Sequence, residues 1–264
     1  MTSMRTASAL LIVLLATCAP ALAASAGERL DMRLRDKTLA LTVYRSQGTP
    51  KGTVIMGSGD VGWVGLAVTR ARELSSDGYA VIGLNIREYL SAFTTRSSHL
   101  SATDIQQDFG ALSQFLAGRG LLVRPVLLSG VSEGAGIAVV AAAAPQNHTW
   151  IAGVITMGLP ELSEIAWRWS DFTTWITKKD AAEPSVRATE FVGGIAPVPL
   201  AMLQSSTDEY VPEADYRAIE RAAGEPKQLT LIAASNHRFT DKQAELRKAY
   251  AAALDWIATH SRDK

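Results

Sequence analysis

Ser132 stands at the centre of Gly130-Val131-Ser132-Glu133-Gly134, between an apolar run over 124–128 and a small-residue run over 133–143. A strand-to-helix turn of this composition presents a serine hydroxyl as a nucleophile. The alcohol reacts poorly at neutral pH, so it needs a base within reach and backbone amides to receive the oxyanion. Gly130 and Gly134 let such a turn close without Cβ clashes, and Gly136 lets the helix pack near the sheet. The bare pentapeptide also fits an ordinary turn, so its meaning depends on partners later in the chain. Two polar clusters supply them, each just past an apolar run. Asp208 comes after 199–204 and His237 after 229–233. A carboxylate that orients an imidazole, and an imidazole that takes the hydroxyl proton, would complete nucleophilic catalysis.

Each role has competitors. For the acid they are Glu209 and Asp215, but the Asp-x-x-Val-Pro spacing over 208–212 favours Asp208 in the turn, with Pro212 opening a helix and Glu209 turned to solvent. In another setting Asp208 would simply cap that helix. His99, His148 and His260 fall in a Ser-rich loop, a polar turn and the last helix, so His237 alone of the four histidines follows the final strand. The oxyanion donors expected are the backbone N–H of Glu133 and that of Asp60, or else Gly59, in the loop 57–62. A carboxylate beside a developing oxyanion would oppose catalysis, so the side chain of Glu133 must turn away or pair with a base such as Arg87. The glycine loop has neither the Gly-Lys-Ser/Thr end of a phosphate loop nor dinucleotide spacing. With no His-Glu-x-x-His, paired cysteines or calcium-type acidic loop either, the chain is expected to work without cofactor or metal.

These residues need a scaffold that brings strand ends together. Residues 30–35 and 38–45 alternate apolar and polar around Asp36-Lys37, as in an antiparallel edge hairpin. Six short apolar runs come next, over 53–56, 80–84, 124–128, 150–157, 199–204 and 228–233, typical of strands buried on both faces. Helical periodicity separates them over 63–74, 102–116, 133–143, 213–222 and 242–259. The alternation predicts an α/β fold: one eight-stranded, mostly parallel sheet with helices on both faces and ligands at the strands' carboxyl ends. Residues 160–197 break the rhythm with Trp167, Trp169, Phe172 and Trp175 and little strand character. Those aromatics either pack an insertion onto the sheet or form a cap wall over Ser132, with Trp167 and Trp169 as substrate contacts.

The order Ser, Asp, His is that of α/β-hydrolases, which the chain resembles over nearly all its mature length. Within that superfamily it is similar to the bacterial virulence VirJ family of periplasmic serine-hydrolase-like proteins. The similarity is carried by Gly57-Ser58-Gly59-Asp60-Val61-Gly62-Trp63, close to the family's Ser-Gly-Asp-Gly-Gly-Trp, and by Asn85-Ile86-Arg87-Glu88-Tyr89, where the family tends to have an Arg-Tyr pair. Val61 stands where the family has glycine, and Glu133 where an aromatic residue often follows the nucleophile. The resemblance implies an α/β-hydrolase fold with a small cap insertion, a serine esterase, and Arg87 and Tyr89 among the substrate contacts. It also implies a narrower substrate, the aminoacyl ester of a modified phosphatidylglycerol, met in transient contact with a membrane surface. The competing expectation is a non-catalytic interaction protein of an envelope or secretion assembly that retains the fold.

Composition sets the outer limits. The 264 residues are 47% hydrophobic and 20% charged and hold no linker-like tract, which suits one globular domain over 24–264. Residues 1–23 combine Arg5, an apolar stretch and Ala21-Leu22-Ala23, and read as a cleaved secretory signal that directs the chain to the periplasm or outside the cell. Cys18 lies in a lipoprotein-like box, but Thr17 before it is too bulky for a usual lipidation site. Cleavage removes that single cysteine, so neither disulfides nor thiolate chemistry remain. The mature chain then balances 25 basic against 26 acidic residues, which gives no electrostatic case for nucleic acid or for binding anionic lipid by charge alone, and points to a small or extended neutral molecule as partner. Oligomeric state leaves no mark in the sequence.

Overall fold

The computed structural model describes residues 27–168 and 184–261. Eight strands form one sheet: β1 (Glu28–Leu34), β2 (Lys37–Tyr44), β3 (Thr53–Gly57), β4 (Ala80–Leu84), β5 (Val126–Val131), β6 (Gly153–Met157), β9 (Leu200–Ser205) and β10 (Lys227–Ile232). Their spatial order is β1-β2-β4-β3-β5-β6-β9-β10. The hairpin β1–β2 is antiparallel and joins β4 antiparallel, and every other pairing is parallel. Order along the sheet reverses at β3, whose neighbours are β4 and β5. Loops leaving β3 and β5 therefore run in opposite directions and open a crevice at the carboxyl edge, with the loops after β9 and β10, beyond β6, as its other wall.

The central strands are buried throughout and alternate between two cores. Ile55 and Ile82 point into one, with α2 (Ile86–Phe93), α3 (Ala102–Gly118) and α4 (Glu133–Ala142). Val54, Met56 and Val81 point into the other, under α1 (Leu66–Ser76) and the last helix, α7 (Gln243–His260). Between β9 and β10 runs α6 (Glu213–Ala222), whose Ile219 joins the first core. Small side chains make α4 a fit for the sheet: Gly134 to Ala142 are all buried.

Helix α2 has no counterpart among the expected elements. Its start is marked by Asn85, whose side chain accepts the N–H of Glu88, an Asx-type cap with an acid three residues on. Residues 160–197 are expected as a cap insertion, of which 169–183 lie outside the described residues. The described part contains a two-stranded antiparallel ribbon, β7 (Leu162–Glu164) with β8 (Ser185–Arg187), then the single-turn α5 (Ala188–Phe191).

Candidate active site

Strand β5 ends in Val131, and Ser132 comes next with φ 51° and ψ −118° at the amino terminus of α4. A non-glycine residue at positive φ is strained, and strain held by its surroundings marks functional turns. Glycines make the strain possible. A Cβ on Gly130 would run into the Gly134 carbonyl, and one on Gly134 into Gly57 and Ser58 of the neighbouring loop. Gly136, expected to bring α4 close to the sheet, instead admits the ribbon, because a Cβ there would overlap Ser163 of β7.

Asp208 and His237 arrive from the far side of the crevice, on the loops after β9 and β10. The carboxylate Oδ2 of Asp208 lies 2.7 Å from His237 Nδ1, with the two side chains 0% and 7% exposed. Oδ2 also accepts from the buried Gln204 amide at 2.7 Å. Oδ1 accepts the N–H groups of Tyr210 and Val211. Burial pushes this carboxyl up, but the hydrogen bond and charge of His237 and the two N–H donors outweigh it, and the group sits below its ordinary 3.8. His237 Nε2 is buried with no hydrogen-bond partner among the described residues. Asp215, the other candidate acid, sits in the first turn of α6.

The end of β6 joins these two halves. Ser132 N–H donates to the Met157 carbonyl at 2.9 Å. The next residue, Gly158, has φ 62°, and a Cβ on it would stand 2.6 Å from His237 Cε1 and 3.4 Å from Nε2. The imidazole thus occupies space that only a glycine leaves open. Sequence reasoning misses Gly158, although a glycine directly after the strand run at 150–157 is the kind of signal that marks it. Opposite it lies the loop after β3. A Cβ on Gly59 would approach Ser132 Cβ to 3.7 Å, and Trp63 covers Gly83 of β4 while its indole N–H donates to Tyr44 at 3.2 Å. The N–H groups of Asp60 and Glu133 have no acceptor among the described residues.

Glu133 does not pair with Arg87. Its Oε2 accepts the N–H of Glu164 in β7 at 2.9 Å. Burial first, then the charges of Glu164 and Asp60, push its carboxyl well above the ordinary range, and the Glu164 N–H offsets this only in part. Arg87 instead lies over the Trp167 ring, 4.3 Å from its centroid. Both line an open cleft of about 1350 Å³ with Val61, Trp63 and Arg168, in which neither Ser132 nor His237 takes part. Tyr89, expected as a substrate contact, is fully buried and donates its hydroxyl to Asp108 at 2.8 Å. Its amphipathic helix turns that position toward the core, so it packs rather than binds. Glu209 is exposed as expected, but its carboxylate also accepts the backbone N–H of His237 at 2.7 Å. Trp169 and Trp175 lie outside the described residues. Among the described residues no cluster of His, Cys, Asp or Glu could hold a metal ion, and no helix is long and apolar enough to cross a membrane.

Solved structures with the same fold cover nearly the whole chain. The esterase domain of a Rhodothermus marinus protein superposes with a TM-score of 0.61 at 16% identity, over 89% of this chain and 99% of its own. The α/β hydrolase GrgF from Penicillium sp. sh18 gives 0.66 at 13%, over 90% and 99%. XC6422 from Xanthomonas campestris, an α/β serine hydrolase without a lid, gives 0.57 at 16%, over 87% and 94%. These likenesses establish the α/β-hydrolase fold. Among curated proteins no match is found. The sequence model of the bacterial virulence protein VirJ matches residues 52–226, about two thirds of the chain from the glycine loop past the acid loop, and the protein belongs to the VirJ family.

Proposed function

We propose that this protein is an exported serine hydrolase that cleaves a carboxylic ester through Ser132, His237 and Asp208. One observation carries the reading: an imidazole bound at Nδ1 by a buried carboxylate, with Nε2 buried and unpartnered, is packed on Gly158 next to the carbonyl that holds Ser132. In the reaction Ser132 Oγ attacks the ester carbonyl as its proton passes to His237 Nε2. The resulting oxyanion takes hydrogen bonds from the N–H groups of Asp60 and Glu133, at the positive end of α4. Collapse breaks the ester C–O bond, and the alcohol leaves with the proton from Nε2. Water then attacks the acyl-enzyme by the same route and restores Ser132. Asp208 stays ionised throughout and stabilises the imidazolium.

Relatives in fold that are esterases or serine hydrolases support ester chemistry in general. The substrate class we favour is lipid-like, including an aminoacyl phospholipid, with the aromatic segment around Trp167 shaping the choice. Residues 1–23 support export to the periplasm or beyond, with a mature chain that starts near Ala24. Amino-terminal sequencing of the exported protein tests this, and a lipid adduct on Cys18 would contradict it. The enzymatic reading is tested with a fluorophosphonate probe, which should label the native protein and leave Ser132→Ala unlabelled. Equal labelling of both proteins, or of neither, would remove Ser132 as the nucleophile.

A further inference from the structure

We propose that Glu209 is a positioning residue for His237, acting on the main chain of the residue whose ring its neighbour Asp208 holds. The inference rests on the reading of His237 as the general base. Asp208 Oδ2 meets His237 Nδ1 at 2.7 Å, and Glu209 Oε2 accepts the His237 backbone N–H at the same distance. Gly158 and the edge of Tyr210, with ring centroids 5.4 Å apart, bound the imidazole on its sides, but the Nδ1 bond alone leaves the main chain of His237 free to shift. A second contact at the backbone fixes the direction in which Nε2 points.

Elsewhere on the loop the tie to the acid side is Ser205 Oγ, which donates to the Ala234 carbonyl at 3.0 Å, three residues before His237. Asn236 Oδ1 accepts the N–H groups of Arg238 and Thr240, and the Asn236 carbonyl accepts the N–H of Phe239. Those bonds give the loop its shape without placing it against the acid loop. Gln243 donates to the carbonyls of Arg238 and Phe239, and buried Phe239 holds a φ of 52°. That side is tied to α7, away from Asp208. Among the described residues Glu209 is the only acceptor of the His237 N–H. Two consecutive acids thus grip one residue by side chain and by main chain. Catalytic groups must be held to within about 0.5 Å and 10–20° of their working geometry, and a misplacement of about 1 Å costs up to about 100-fold in rate.

The test compares Glu209→Ala and Glu209→Gln with native protein, by turnover of a chromogenic ester and by the ¹H–¹⁵N signal of the His237 ring, assigned by its loss in His237→Gln. Because Glu209 is exposed, both variants should fold. Glu209→Ala should lower kcat about tenfold at unchanged KM, and should broaden the Nδ1–H signal through faster exchange with water. Glu209→Gln keeps an acceptor oxygen and should restore both. An unchanged ring signal in Glu209→Ala, or failure of Glu209→Gln to restore it, would overturn the proposal. If native protein turned over no ester while the ring signal responded as described, the enzymatic reading would fail and the positioning role of Glu209 would stand.

Discussion

The two walls of the crevice differ in how far their hydrogen bonds are satisfied. On the wall built by the loops after β9 and β10, both oxygens of Asp208 are filled, Gln204 buttresses one of them, and His237 is held at ring and main chain. On the wall built by the loops after β3 and β5, the N–H groups of Asp60 and Glu133 have no acceptor among the described residues. The carboxylate of Glu133 is also crowded by those of Asp60 and Glu164. His237 Nε2 is buried and unpartnered among the described residues too. The difference suits a division of labour. In the proposed reaction, groups that must keep one geometry are saturated by the protein, whereas groups that would receive the substrate's changing charge are left with bonding capacity, as preorganised electrostatic catalysis requires.

Breaking the saturated wall should have the largest effect. Asp208→Asn keeps the shape but offers Nδ1 an amide, which lets the imidazole adopt the wrong tautomer, and ester turnover should fall about a thousandfold or more in a folded protein. Full activity would point to another carboxylate as the acid. Stability should change with a defined sign. The Asp208 carboxyl titrates below its ordinary 3.8, so its contribution is present above 3.8 and disappears as pH falls through the lower folded value. The difference in Tm between native protein and Asp208→Asn should therefore shrink under strongly acid conditions, as calorimetry across about pH 2–6 would show.

Gly158→Ala attacks the joint between the walls and should rank next. The new Cβ would stand 2.6 Å from the imidazole at a backbone φ of 62°. A displaced ring should cost about 100-fold in kcat, while the left-handed backbone costs only about 1–2 kcal/mol of stability. Turnover close to native would mean that the imidazole works from another position.

The smallest effect should come from the unsatisfied wall. Glu133→Gln retains an acceptor for the Glu164 N–H and loses the ionisable group. Since the native carboxyl is raised above its ordinary 4.5, its ionisation costs stability as pH rises from 4.5 through the folded value and no further beyond it. Glu133→Gln should melt higher than native protein by a margin that opens above pH 4.5 and then levels off. Native activity should decline as this group ionises beside the oxyanion, and the variant should lack that decline. Parallel pH profiles would place the carboxylate out of reach of the reaction.

Legibility of the sequence divides along similar lines. Strands such as 80–84 and the helix 213–222 are readable to the residue, because burial on both faces and a proline at the helix start leave local marks. The strand-end positions of Ser132, Asp208 and His237 are readable because each sits just beyond such a run. Helix α2 escapes notice although Asn85 and Glu88 mark its start, since at eight residues it offers little periodicity. Glu209 and Gly158 escape because what gives them meaning is a contact with a residue 28 positions away for Glu209 and farther still for Gly158. Tyr89 misleads because α2 itself goes unread: once 86–93 is a helix, Ile86, Tyr89 and Leu90 share its buried face.

If the proposed reaction holds, Ser132 forms a covalent acyl intermediate. Mixing native protein with excess of an activated chromogenic ester and following the first turnover tests it most directly, with the acylated peptide mapped by mass spectrometry after an acid quench. A burst of about one equivalent of alcohol per chain is expected where deacylation is the slower step. Under that condition an acyl mass is expected on the peptide containing Ser132 and none in Ser132→Ala. A burst with no adduct at Ser132, or with the adduct on another residue, would contradict the proposed reaction.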